Sequence, residues 1–283
     1  MSRRGRRQRD IERRLRELDR LDAKYGLGAA PLSKQRVPMD WRRIVVPVAT
    51  LASTLLLFLV VPDVASVSIR NALGLGPHRL GHRPAVDTSG AHQFLAKQTG
   101  TGSQPVTWDP CKPIHYEVNT AGGPPDAVAL VAGAISDVSE TTGLRFEYDG
   151  QTDARPRWKS SDLPFLAAHR PVLVSWATES EVSQLAGRVA GIGGSLPQPA
   201  RDGRLRYVTG GVTLDSASFA AMDRRNEGRA LERAIILHEL GHLVGLAHVS
   251  DQTELMNADN VGQLDYGLGD REGLAKLGAG PCF

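Results

Sequence analysis

The 283-residue chain is poor in cysteine, with two, and in aromatic side chains, at 5%. So few cysteines exclude a disulfide-dense scaffold. No internal repeat is present, which excludes a solenoid or propeller array. The glycine-rich stretch Ala190 to Pro197 is not followed by Gly-Lys-Ser or Gly-Lys-Thr, so it is no phosphate loop. The basic N-terminal head lacks interleaved aromatics and any recognised reader motif, and no nucleic-acid partner is expected.

Charge is unevenly spread. The first 43 residues carry 14 Lys and Arg against 6 Asp and Glu, while the remaining 240 are net acidic. Within the head, Ile11, Leu15, Leu18 and Leu21 recur at helical spacing between Arg3 and Tyr25, the pattern of an amphipathic helix. Next comes an uncharged run of eighteen residues, Ile44 to Val61, preceded by Arg42 and Arg43. Its length is near the lower limit for a bilayer-spanning helix. The positive flank then puts the N-terminus in the cytoplasm and the rest of the chain outside, as a single-pass protein of the cell membrane. A cleaved signal peptide is the alternative, although no Ala-x-Ala site follows the run. The expected organisation is a basic cytoplasmic segment 1–43, an anchor 44–61, a flexible stalk 62–104 and one domain, 105–283.

That domain contains His238-Glu239-Leu240-Gly241-His242-Leu243-Val244-Gly245-Leu246-Ala247-His248. Residues four apart on a helix share a face, so His238 and His242 can meet one metal ion. On a continued helix His248 would point about 240° away from His242. The chain must therefore turn, and Gly245 can supply a left-handed helix end without a Cβ penalty. Three neutral imidazoles leave one position of a tetrahedral Zn²⁺ open, the mark of a catalytic site. Glu239, beside the first ligand, is placed to act as general base on zinc-activated water and then as acid to the leaving amine.

This H-E-x-x-H-x-x-G-x-x-H pattern resembles the metzincin clan of zinc endopeptidases. Met256, eight residues after His248, resembles the Met-turn of the matrixin branch. The resemblance implies an α+β catalytic domain: a twisted mixed sheet, two main helices and a C-terminal helix. Strands are expected at Ile114 to Val118, Leu144 to Tyr148, Pro171 to Ala177 and Gly211 to Asp215. Helices are expected over 125–142, from a cap at Asn226 through the histidines, and at Gly269 to Leu277. By the same resemblance Ala190 to Pro197 is an edge strand for substrate, a surface loop being the other reading. The pocket beyond the scissile bond would lie in Asn257 to Leu268. Tyr266 is a candidate for steadying an oxyanion.

The sequence departs from matrixins in two respects: it has no His-x-Asp loop for a second zinc, and no cysteine precedes Cys111 to enforce latency. Asp149-Gly150 and Asp202-Gly203 read as turns rather than calcium sites. His78, His82, His92, His115 and His169 match no metal spacing. Outside the membrane Cys111 and Cys282 would pair, free thiols being the alternative. The functional expectation is a membrane-anchored zinc endopeptidase acting on peptides or proteins. The competing one is a non-catalytic zinc-binding extracytoplasmic module, for which Glu239 would have no use.

Overall fold

The computed structural model describes residues 3–26, 41–60, 76, 78–82, 85, 89–100, 103–158, 170–200, 202–259 and 262–283. The chain divides into two compact units, Met1–Val60 and Val61–Phe283. The first holds helices α1 (Arg3–Tyr25) and α2 (Arg42–Val60). On α1 the four expected apolar residues are all exposed. Helix α2 covers nearly all of the apolar run, with Pro47 in its second turn. Among the described residues, however, no helix is long and apolar enough to cross a membrane.

The second unit is a mixed five-stranded sheet with helices packed on it. Its strands are β2 (Ile114–Asn119), β3 (Phe146–Gln151), β4 (Val172–Ala177), β5 (Gly191–Pro199) and β6 (Leu205–Asp215). Their order is β3-β2-β4-β6-β5. The first four are parallel, and β5 closes one edge antiparallel to β6. Parallel neighbours need crossovers. Helix α3 (Ala127–Thr142) is the crossover from β2 to β3. Its Val131, Ala134, Ile135 and Val138 face the core at helical period, and Gly143 ends it in the left-handed conformation, φ 66°.

Helix α4 (Ser216–Met222), which periodicity does not predict, follows β6 directly, and Asp215 caps it by accepting the Ser218 amide at 2.7 Å. Helix α5 (Gly228–Val244) then carries the histidine motif. It begins two residues after the expected Asn226 cap. The closing helix α6 is Leu268–Gly278. Val118, Val174, Leu214, Ile236, Leu240 and Leu274 belong to one buried cluster joining sheet and helices. Cys111 and Cys282 are disulfide-bonded across a separation of 171 residues.

Some described residues of the segment 62–104 pair with the domain. Gln93–Phe94 form a short strand, β1, paired antiparallel with β7 (Leu246–Ala247). Leu80 donates its amide to the Pro110 carbonyl at 3.0 Å. Two-residue pairing has no periodicity for sequence reading to detect. The edge reading of Ala190 to Pro197 prevails over the loop reading, because β5 hydrogen-bonds to β6 along nine residues.

Candidate metal and catalytic site

The ligand helix is built to be buried. From Ala234 to Val244, Ala234, Ile236, Leu237, Glu239, Leu240, Gly241, His242, Leu243 and Val244 are all buried. His238 and His242 lie one turn apart on it, their ring centroids 4.9 Å apart. At Gly245, φ is 128°, a region L side chains rarely adopt. The chain leaves the helix there and brings His248 back.

The three Nε2 atoms converge. His248 Nε2 lies 3.0 Å from His238 Nε2 and 3.0 Å from His242 Nε2. The opposite ring nitrogens are engaged: His238 Nδ1 meets the Leu255 carbonyl at 2.7 Å, and His242 Nδ1 meets that of Leu246 at 2.8 Å. A carbonyl only accepts, so each Nδ1 carries the hydrogen and each Nε2 presents a lone pair. One hydrogen on His248 could satisfy only one of those two lone pairs. A cation satisfies all three nitrogens, and carbonyl-oriented imidazoles are the usual support of a metal site. Burial keeps the imidazoles neutral, lowering His238 to about 4 and His242 to about 3, and lowering His248 as well. The donor set, three neutral imidazoles, fits Zn²⁺.

Glu239 is 6% exposed, and burial pushes its carboxyl up to about 8. Edge strand β5 covers it. A Cβ on Gly191 would come within 2.8 Å of Glu239 Cγ, and one on Gly193 would collide with the Glu239 main-chain carbonyl. Only glycines let the strand lie this close to the helix. The Asp215 amide donates to the Ala190 carbonyl at 2.9 Å. Opposed antiparallel residues alternate between bonded and non-bonded pairs. Ile192 and Gly194 therefore bond to β6, while the amides and carbonyls of Gly191, Gly193 and Ser195 face outward. Beyond the bulge between Leu196 and Pro197, Pro197 and Pro199 occupy outward positions and offer no N–H.

Met256 is buried beneath the helix, where a Cβ on Gly241 would sit 2.5 Å from its Sδ. Tyr266 is a correction: it is buried and its hydroxyl donates to the Leu237 carbonyl. It is thus committed to the back of the helix and not free to steady an oxyanion.

Two buried carboxylates escaped sequence reading. Asp270 accepts the Leu255 amide at 2.6 Å and the Gly267 amide at 3.1 Å. Glu254 accepts the amides of Gly269 and Asp270, each at 2.8 Å. They tie the Met256 turn to α6, and so hold the Leu255 carbonyl that orients His238. An acidic residue in the first turn of a predicted helix was the available signal.

The remaining candidates are placed elsewhere. His115 Nδ1 pairs with Asp149 at 2.9 Å, and His92 sits beside Lys276 and Glu272. Asp202 accepts the Arg204 amide in an ordinary turn. His169 lies outside the described residues. Among the described residues, the only other grouping of three potential ligands is Asp109 with the disulfide cysteines. Two clefts, of about 440 and 560 Å³, include none of the three histidines.

No family model matches the chain, and neither does any curated protein. Among solved structures it is similar to archaemetzincin from Methanopyrus kandleri, with TM-score 0.33 and 18% identity, covering 62% of this chain and 88% of that one. It is also similar to high choriolytic enzyme 1, a hatching-enzyme zinc protease from the medaka Oryzias latipes. There the TM-score is 0.26 and the identity 12%, over 62% of this chain and 86% of that one.

Proposed function

We propose that this chain is a zinc-dependent endopeptidase. The observation that carries the proposal is the convergence of three Nε2 atoms, two of them with their lone pairs fixed by backbone carbonyls, beside the buried carboxyl of Glu239. His238, His242 and His248 would hold the ion. Zinc bound there supplies Lewis acidity towards water and the scissile carbonyl. Glu239 then accepts a proton from water and delivers it to the departing amine. A peptide in extended form would lie along β5, bonding to the outward groups of Gly191, Gly193 and Ser195 as an added strand. Its strand pairing would end at Pro197, where the donors stop.

Anchoring is part of the proposal. The basic flank and the apolar run around α2 support a chain held in the cell membrane, N-terminus inside and catalytic unit outside. The matrixin branch rests on the position of Met256 alone.

The test uses the full-length chain loaded with zinc and a broad peptide library. Cleavage that disappears on chelation and in Glu239→Gln supports the proposal. A protein that binds zinc stoichiometrically yet cuts no peptide refutes it, and leaves the non-catalytic module as the reading.

A further inference from the structure

The turn that delivers His248 is held by a segment outside the motif. β1 pairs antiparallel with β7, Gln93 opposite Ala247 and Phe94 opposite Leu246. The Leu95 amide donates to the Gly245 carbonyl at 2.9 Å. In such a ladder, opposed residues alternate between pairs that exchange both backbone bonds and pairs that exchange none. The bond at 95/245 makes 93/247 a bonded pair and leaves 94/246 unbonded. The amide and carbonyl of Leu246 therefore point away from β1. That carbonyl is the one receiving His242 Nδ1 at 2.8 Å, and His248 follows two residues later.

The segment is fastened at both ends. Upstream, the Gly90 amide donates to Glu272 Oε2 at 3.0 Å, and Glu272 pairs with Lys276 at 2.7 Å. A side chain on Gly269 would collide with the backbone of Ala91. Downstream, the Val106 amide donates to the Ala96 carbonyl at 2.9 Å. Gln98 exchanges bonds with the Leu205 backbone at 2.7 and 2.8 Å.

We propose that residues 90–98 form a positioning strap for the metal ligands, with Gln93 to Leu95 fixing the peptide orientation at Leu246 that orients His242 and leads into His248. The inference rests on the zinc reading of the site. It makes metal affinity depend on residues that precede the domain the sequence predicts. The strap's residues act on the ligands through Gly245 to Ala247.

Leu95 separates the backbone role from the side-chain role, since its side chain is half exposed. Leu95→Ala keeps the amide; Leu95→Pro deletes it. Each full-length variant is titrated with zinc against a chromophoric chelator, and its Co²⁺ derivative is examined for ligand-field absorption. Leu95→Ala should match wild type. Leu95→Pro should bind zinc roughly 10- to 100-fold more weakly, the usual effect of losing an outer support, with a shifted cobalt spectrum. Should Leu95→Pro not fold, Glu272→Ala carries the test by releasing Gly90, with zinc loss faster by about tenfold. Wild-type affinity and spectrum in a folded Leu95→Pro, or unchanged zinc release in Glu272→Ala, overturns the strap alone. A wild-type chain that binds no zinc overturns the site reading and the strap together.

Discussion

Burial makes His238 and His242 poorer bases than a free imidazole, and this has a consequence for stability. In the unfolded chain both take up protons near pH 6.5. In the folded, metal-free chain they do so only near 4 and 3. For these two groups the unfolded state binds more protons between those limits, so the stability they contribute above pH 6.5 is lost as the pH falls towards 4, while the raised carboxyl of Glu239 contributes in the opposite sense. In thermal melts of metal-free protein from pH 7 to 4, His242→Gln should lose less stability on acidification than wild type does, because one of the two histidine contributions is gone. An equally steep slope in that variant would count against the assignment. Glu239→Gln tests the other half of the site. Zinc content should stay unchanged, while peptide hydrolysis falls on the order of 10²- to 10⁴-fold, the usual contribution of a general acid–base group.

Among the elements, α5 and β5 differ in how openly the sequence declares them. His238 and His242 are legible because their relation is local: four residues on a helix fix it. Gly245 is legible because a third ligand six residues on requires a break. What stayed hidden is non-local. β1 meets β7 from about 150 residues away, and neither strand is longer than two residues. Asp270 serves His238 only through the intervening turn at Leu255. No spacing rule reports such relations. The contact between β5 and α5 yields a further prediction. Gly193→Ala should push the edge strand off Glu239, lowering kcat/KM by about 10²-fold, as expected for a displacement near 1 Å. Zinc affinity should hold, because no ligand touches Gly193; if kcat/KM holds as well, the strand is not where substrate binds.

At the scale of the molecule, the second unit is tied covalently as well as by its core. The chain-entropy model assigns about 5 kcal/mol to closing so long a loop, as an upper figure. The double variant Cys111→Ser/Cys282→Ser should therefore unfold at markedly lower denaturant concentration, as chemical denaturation under non-reducing conditions would show. Cysteine scarcity made that partnership readable in advance. The proposed anchor is a prediction of the same scale. Full-length protein should sediment with membranes and release into solution only with detergent, whereas washing with salt or alkali should leave it in place.

The bond between Cys111 and Cys282 also bears on how such a protein would survive its own activity. Any single nick in the loops between those positions leaves both pieces covalently attached, so nothing diffuses away and the severed ends stay in register. Self-inflicted cuts would accumulate as hidden scars, visible as fragments only after reduction.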